Sequence, residues 1–123
     1  MAENCLFCKI NQREIPGQIH YEDEHWLAFD DKYPVAPIHV LLVPKTHIVT
    51  LEEVDDLNFY LELINTAKKI ASQLGISDNY KLFMNVGLKV QAIHHLHLHI
   101  YGGWGEEKLA EQLDKESRKL ISE

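Results

Sequence analysis

The 123-residue sequence contains no long apolar run, and stretches such as Val40 to Pro44 are only a few residues long. A membrane-spanning helix needs roughly 20 consecutive apolar residues. The first residues, Met1 to Cys5, have neither a basic start nor an apolar stretch, so no secretory signal is predicted. These absences favour a cytoplasmic protein with no membrane partner.

Basic residues and cysteines are also few. Twelve Lys and Arg stand against 19 Asp and Glu, and the net charge is −7. Binding to a nucleic-acid backbone requires a basic face, so nucleic acid is not an expected partner. The two cysteines are too close in sequence to close a long loop and suit a reducing compartment. Neither a P-loop nor a GxGxxG motif is present, so imidazole and backbone N–H groups would have to hold any phosphate.

What remains is ordinary globular composition, with 46% hydrophobic and 25% charged residues, which predicts a single domain over 1–123. Helices are predicted over 5–15, over about 55–74, and in a C-terminal helix or tail over 106–123. Strands are predicted over 19–21, 25–30, 38–43, 80–85 and 93–101. The strands follow one another with few crossovers, which favours a mainly antiparallel sheet and the α+β class.

The predicted helix over 55–74 has an unusually wide apolar face. Thr50 and Glu53 have the spacing of a capping box before it, and Gly75 follows as a natural stop. At 100° per residue one apolar stripe contains Leu57, Tyr60, Leu61, Ile64, Ala67, Ala71 and Leu74. A surplus of three residues, Phe59, Leu63 and Ile70, extends it to well over half of the circumference. Packing on one sheet needs a narrower face, so the surplus is either a subunit interface or a surface covered by the C-terminal segment.

Four of the eight histidines fall within 93–100, and three of them alternate with leucines. In a strand this alternation places His95, His97 and His99 on one face. Neutral imidazole is a nucleophile for phosphorus or an acyl carbon, and neighbouring imidazoles orient a substrate or protonate a leaving group. Such a row also suits a divalent metal. A merely exposed face would accept Thr, Lys or Glu equally well, so the histidines indicate a site.

The sequence resembles the histidine triad (HIT) family, and in particular its Hint-like branch. The motif His-x-His-x-His-x-x is matched at 95–101, with Gly102 and Gly103 after it. Further matches are Phe7-Cys8-Lys9-Ile10, Asp30-Asp31, Ala36-Pro37-Ile38-His39, Pro44-Lys45-Thr46-His47-Ile48 and Asn85-x-Gly87. The resemblance implies a homodimer whose subunit has a five-stranded antiparallel sheet, a long central helix and short flanking helices. It also implies hydrolysis of purine nucleoside phosphoramidates to a nucleoside monophosphate.

The same resemblance implies residue roles. His97 would attack the α-phosphorus and form a nucleotidyl-histidine, His99 would orient it, and His95 would face the leaving group. Substrate contacts are implied for Asp31 at the ribose hydroxyls, Asn85 at the phosphate, Phe7, Ile10 and Phe29 at the base, and Gln91 in the loop before the triad. Each residue also has a simpler structural interpretation. Asp31 could cap a turn beside Pro34, the apolar residues Phe7, Ile10 and Phe29 could belong to the core, and His39 could be a satisfied strand residue.

Cys5-x-x-Cys8 alone is a weak signal, typical of a redox pair or of two unrelated small residues. In several HIT proteins such a pair, with the His of Pro-Lys-x-His and the first triad His, holds a structural zinc. The corresponding residues here are Cys5, Cys8, His47 and His95, which form a complete tetrahedral set without an open position. With zinc bound, His95 is a ligand and cannot protonate the leaving group.

The sequence departs from the family pattern before the triad, where the loop is one residue shorter. Val90 stands in place of a glycine, Ala92 in place of a serine that donates near the leaving nitrogen, and Lys32 in place of an apolar residue at the base pocket. Two alternatives to a hydrolase stay open, and the departures support the first of them. One is a nucleotide-binding or sensor module with little turnover, and the other is an interaction protein whose histidines serve zinc only.

Overall fold

The computed structural model describes residues 4–105 and 114–117. Its elements are α1 (Leu6–Asn11), β1 (Ile19–Glu22), β2 (Trp26–Asp30), β3 (Ile38–Pro44), a 3-10 turn (Leu51–Glu53), α2 (Leu57–Gln73), β4 (Tyr80–Phe83) and β5 (Leu98–Gly102). The five strands form one sheet in the order β1-β2-β3-β5-β4, and every neighbouring pair is antiparallel. The predicted α+β class and five-stranded antiparallel sheet are confirmed.

Helix α2 packs on one face of the sheet. It begins after Asp56, whose carboxylate accepts the Asn58 N–H at 2.9 Å, and it ends before Gly75, which has φ +72°. The core between helix and sheet contains Trp26, Ala28, Val40, Leu42, Leu63, Ala67, Ile70, Ala71, Ile76, Leu98 and Ile100. Burying each leucine-sized side chain there contributes about 2 kcal/mol of hydrophobic free energy.

Gly102 shows how closely this core is packed against β5. A Cβ atom at Gly102 would lie 2.6 Å from Cδ1 of Ile76, which is closer than real Cβ contacts allow. Gly103 has φ +82°, a left-handed conformation that favours glycine. The two glycines after the histidine motif therefore let the chain pass the core and turn away from the sheet.

Helix α1 covers part of the opposite face of the sheet. Alternate residues of β2 and β3 point to this face, and α1 adds its own buried side chains. The resulting second apolar cluster contains Cys5, Phe7, Cys8, Ile10, Leu27, Phe29, Leu41 and Val43. Because His99 pairs with Leu41 in the β3–β5 register, the histidines lie on this second face, next to α1.

The apolar face of α2 packs on a different side than predicted, because Leu63 and Ile70 of the predicted surplus are buried against the sheet. Leu57, Leu61 and Ile64 of the predicted stripe are instead 76%, 62% and 46% exposed. The predicted C-terminal helix or tail lies largely outside the described residues. Residues 114–117 are helical, and the Glu116 carboxylate is 2.9 Å from Lys81 Nζ on β4. Among the helices of the described residues, none has the length and apolarity needed to cross a membrane.

Several predicted boundaries were wrong. The first helix ends at Asn11 rather than at residue 15, because Arg13 takes a left-handed conformation with φ +64°. The capping-box pair opens the 3-10 turn instead of α2, with Glu53 Oε1 accepting the Thr50 N–H at 3.1 Å. The strand predicted over 80–85 ends at Phe83.

The largest correction concerns the last strand, predicted over 93–101 but observed from Leu98. Pairing with β3 stops at Leu42 and Leu98. Before that point the chain bonds to a loop, because the Leu96 N–H donates to the Ile48 carbonyl at 2.7 Å. His95 and His97 therefore precede the strand, and only His99 lies within it.

Candidate active site and Cys–His cluster

The three histidines of the motif remain together despite the shorter strand. His95, His97 and His99 are 1%, 3% and 0% exposed. The ring of His99 stacks on Phe83 with 4.2 Å between centroids. The centroid of the His97 ring lies 5.0 Å from that of the His99 ring. Phe7 of α1 packs edge-on against His97 at 5.1 Å and His95 at 5.8 Å. The structure thus brings the predicted triad into one buried group.

His97 is oriented by the backbone two residues earlier. Its Nδ1 lies 2.7 Å from the carbonyl oxygen of His95. A carbonyl only accepts hydrogen bonds, so Nδ1 carries the proton and Nε2 keeps its lone pair. Burial lowers the pKa of His97, against the opposing effects of this hydrogen bond and of the Asp31 charge. The result is a neutral imidazole with a lone pair at Nε2, as a nucleophile requires.

His95 belongs to a second group, which we call the Cys–His cluster: Cys5, Cys8, His47 and His95. Nδ1 of His95 lies 3.3 Å from Cys5 Sγ, 3.6 Å from Cys8 Sγ and 3.2 Å from His47 Nδ1. Cys8 Sγ lies 3.3 Å from His47 Nδ1. The four candidate ligand atoms are all within 4.8 Å of one another. The residues predicted as metal ligands are therefore brought together.

The Cys–His cluster also has the ligand orientation that a metal needs. His95 Nε2 donates to the Pro44 carbonyl at 2.8 Å, so the lone pair of its Nδ1 points at the two sulfurs and at His47. Burial lowers the pKa of His95 to about 4. Tetrahedral zinc with N and S ligands places its donor atoms about 3.3–3.8 Å apart. The observed contacts of 3.2–3.6 Å and the two-sulfur, two-nitrogen donor set fit such an ion.

Asp31, His39 and His99 form another compact group, which we call the Asp–His chain. His39 Nε2 lies 3.0 Å from His99 Nδ1 and 3.2 Å from Asp31 Oδ2. The Val35 N–H donates to His39 Nδ1 at 3.3 Å, so Nδ1 is the acceptor and Nε2 carries the proton. A metal at this position would need a lone pair on Nε2. His39 Nε2 therefore donates to His99 Nδ1, and the Asp31 carboxylate lies beside this hydrogen bond.

The comparisons with known proteins agree with this architecture. The family model described as HIT domain matches residues 12–105. A HIT-like protein of Synechocystis, itself uncharacterized, is 47% identical over 84% of this chain and 93% of its own length. A HIT family hydrolase from Clostridium thermocellum has 41% identity and a TM-score of 0.79, covering 88% of this chain and 97% of that one. A histidine triad protein from Clostridium difficile has 36% identity and a TM-score of 0.80 over the same shares.

The chain belongs to the HIT family. Since a solved relative at 41% identity is a HIT family hydrolase, hydrolysis is the chemistry supported at the family level. The family model begins at residue 12, so it does not include Cys5 and Cys8. The family match therefore does not cover the Cys–His cluster as a whole, and the evidence for the cluster is the geometry of this chain.

The remaining predicted site residues of this HIT protein occupy three kinds of position. Asp31 is 5% exposed, and its Oδ1 accepts the Tyr33 N–H at 2.8 Å, so it caps a turn while it faces His39. Gln91 is 3% exposed; it accepts the Gly87 N–H and donates to the Val49 carbonyl, both at 2.8 Å. Its amide thereby holds the loop before the triad. Asn85 is half-buried just after β4.

Phe7, Ile10 and Phe29 are 4%, 7% and 2% exposed, within the second apolar cluster. They are packed side by side there, and Phe7 also contacts the rings of His95 and His97. His39 belongs to the site although the sequence pattern predicts only a satisfied strand residue at this position. Its signal was a histidine inside an apolar strand. Its contact with His99 depends on a strand pairing that the sequence does not show.

A cavity of about 320 Å³ adjoins the Cys–His cluster rather than His97. It is lined by Asn4, Cys5, Leu6, His47, Ala92, Ile93 and His94. Cys5 and His47 belong to the lining, although Cys5 is only 7% exposed, whereas Cys8 and His95 are each 1% exposed and do not line the cavity.

Proposed function

We propose that this HIT protein is a nucleotide-binding hydrolase that cleaves nucleoside 5′-phosphoramidates, or related nucleotidyl conjugates, to a nucleoside monophosphate. The observation that carries the proposal is the 2.7 Å hydrogen bond from His97 Nδ1 to the His95 carbonyl. It directs the lone pair of a neutral, buried imidazole away from the backbone. Family membership and the hydrolase among the solved relatives support the same reaction class.

In the first step, His97 Nε2 attacks the α-phosphorus. An N–P bond to His97 forms, the P–N bond of the substrate breaks, and the amine leaves with a proton taken from water. His95 does not supply this proton, because its Nε2–H is bonded to Pro44 and its Nδ1 faces the Cys–His cluster. His99 accepts from His39 at Nδ1 and so carries its proton on Nε2, where it donates to a phosphate oxygen.

In the second step, the hydroxide left by that water attacks the phosphorus of the nucleotidyl-histidine and the bond to His97 breaks. The nucleoside monophosphate leaves and His97 returns to its neutral state. We assign the phosphate contact to Asn85 and the ribose hydroxyls to Asp31, whose carboxylate can accept more hydrogen bonds than it makes within its turn. The cluster of Phe7, Ile10 and Phe29 forms an apolar wall for a purine, and Gln91 keeps the loop over the phosphate in place.

We further propose a structural zinc ion held by Cys5, Cys8, His47 and His95. When bound, the ion cross-links α1 to the segment before β5, which fixes the His95 backbone that orients His97. A homodimer in the cytoplasm, formed through the exposed Leu57, Leu61 and Ile64 of α2, completes the proposal. Sedimentation tests the dimer, and a monomer at micromolar concentration would contradict it.

A second candidate function is a nucleotide-binding or sensor module. Ala92 favours it, because a methyl group stands where related proteins have a donor near the leaving nitrogen. Such a module would bind AMP and release none from a conjugate.

The decisive experiment measures AMP release from adenosine 5′-phosphoramidate by the wild type and by His97→Ala. We expect the substitution to lower the rate by a factor of about 10³ or more, since it removes the nucleophile. AMP binding and thermal unfolding of the variant serve as controls for an intact pocket and fold. No release by the wild type, with AMP still bound, would replace the hydrolase by the sensor module.

A further inference from the structure

We propose that Cys5 and Cys8 are a peroxide-sensitive thiol pair, and that their oxidation to a disulfide inactivates the His97 site. The modification itself follows from the chain's own geometry. Its effect on turnover rests on the proposed function.

The two thiols are placed for an intramolecular disulfide. Their Sγ atoms lie within 4.8 Å of each other, and the Cys8 N–H donates to Cys5 Sγ at 3.4 Å. Cys5 immediately precedes α1 and Cys8 lies in its first turn. Residues three apart at the start of a helix have Cα atoms roughly 5 Å apart, within the range that a disulfide spans. Neither cysteine is in a disulfide in the structure.

Both cysteines are buried, but Cys5 lies nearer to solvent than Cys8, with 7% against 1% of the residue exposed. Cys5 lines the cavity of about 320 Å³, whereas Cys8 is 1% exposed and does not line it. A small oxidant such as hydrogen peroxide therefore reaches Cys5 first. Cys8 is the neighbour that can resolve the product.

The chemistry balances with hydrogen peroxide as the oxidant. Cys5 sulfur attacks the O–O bond, giving a sulfenic acid at Cys5 and one water. Cys8 sulfur then attacks Cys5 sulfur, the S–O bond breaks, and a second water leaves. Two thiols lose two electrons and two protons, and one peroxide becomes two waters. Both sulfurs are consumed, so a metal ion that they hold is released.

Two contacts connect this pair to His97. The first passes through His95, whose Nδ1 touches both sulfurs and whose carbonyl accepts the His97 Nδ1–H. The second passes through Phe7, which lies between the cysteines and packs on His97 at 5.1 Å. Drawing the sulfurs together removes the partners of His95 and moves Phe7. His95 is therefore a positioning residue for the nucleophile, and the thiol pair acts through it.

The test treats the purified wild-type protein with hydrogen peroxide and follows three quantities. We expect an intact-mass loss of about 2 Da with loss of both free thiols, release of any bound zinc, and at least a tenfold fall in AMP release that dithiothreitol reverses. The matched variants separate the two sulfurs. Cys8→Ser should accumulate a dimedone-reactive sulfenic acid at Cys5, whereas Cys5→Ser should leave the buried Cys8 unreacted.

A nitrogen-detected histidine spectrum adds a readout that does not need turnover. Oxidation should broaden or shift the His97 Nδ1–H signal that reports its bond to His95, and the surface residue His25 serves as an unaffected reference. If the reduced wild type releases no AMP, the proposed function fails and this spectrum still decides the inference. A disulfide that forms without changing the His97 signal, or peroxide treatment that gives no disulfide, would overturn it.

Discussion

The Cys–His cluster and the Asp–His chain are both compact groups of buried or half-buried residues on the same face of the sheet, yet they suit different chemistry. In the first, the Pro44 carbonyl takes the proton of His95 Nε2, and the lone pair of Nδ1 points inward. In the second, the Val35 N–H occupies the lone pair of His39 Nδ1, and a proton points inward. One group presents lone pairs that a metal ion could bind, and the other presents a hydrogen bond to His99.

This difference is decided by the backbone group at the far ring nitrogen. A histidine has two nitrogens, and fixing the role of one fixes the role of the other while the ring is neutral. A carbonyl partner therefore prepares a ligand, and an N–H partner prepares a donor. Distances within the two groups are similar, so distance alone would suggest a metal in both.

The strongest test of the comparison is the metal content of His47→Ala beside that of His39→Ala. After purification with zinc, we expect one ion per chain in the wild type and in His39→Ala, and none in His47→Ala. At a zinc concentration 1,000 times Kd, losing the ion costs about 4 kcal/mol of unfolding free energy. Atomic absorption and thermal unfolding measure both effects. Zinc retained by His47→Ala, or lost from both variants, would contradict the assignment of the metal to the Cys–His cluster alone.

The second test concerns the proton on His39. We expect His39→Ala to lower kcat for AMP release about 100-fold, equivalent to about 2.7 kcal/mol of barrier, because His99 loses its donor. His39→Gln keeps an N–H near the Nε2 position and should recover most of that loss. Steady-state kinetics of the three proteins gives the answer. Equal rates for the Ala and Gln variants would mean that the chain does not act by hydrogen bonding.

The sequence predicted the grouping of the site residues better than it predicted the backbone structure that positions them. The alternation over His95, His97 and His99 correctly placed them together. The start of β5 at Leu98 was not predictable, because it depends on a bond from Leu96 to Ile48, 48 positions earlier in the chain. Local patterns carry no information about such a remote partner.

The same limit explains why His39 was missed. Its place in the site depends on pairing between β3 and β5, and its ring orientation depends on the Val35 N–H. Neither is visible in the pattern of an apolar strand. For α2 the width of the apolar face was predicted, but not the part of it that packs. Leu63 and Ile70, predicted as the surplus, are buried on the sheet, whereas Leu57 of the predicted stripe is 76% exposed.

A third test uses acid against the Cys–His cluster. Burial lowers the pKa of His95 from 6.5 to about 4, so the unfolded chain binds a proton that the folded chain does not over this range. Stability is therefore full above pH 6.5 and falls as the pH drops toward 4, by about 2 kcal/mol between pH 7 and pH 5. A bound metal acts in the same direction, because its ligand must stay deprotonated. Denaturant unfolding at a series of pH values measures the free energy of unfolding. A free energy that stays constant from pH 7 to pH 5 would contradict the prediction.

The smallest expected effect on stability comes from the surface ion pairs of Glu22. They serve as a control for the Cys–His cluster and the Asp–His chain. Glu22 pairs with Lys45 Nζ at 2.7 Å and with Arg13 Nη2 at 2.5 Å. The hydrogen bond from Lys45, with help from Arg13, lowers the pKa of Glu22, so its contribution is present above the usual carboxyl pKa and is lost only below it. Solvent screens the group, and Glu22→Gln should cost less than about 0.5 kcal/mol at pH 7. Because this contribution does not change between pH 7 and pH 5, the variant should keep the acid-induced loss of the wild type. If Glu22→Gln abolished the acid-induced loss of stability, that loss would have to be assigned to the surface ion pairs and not to His95.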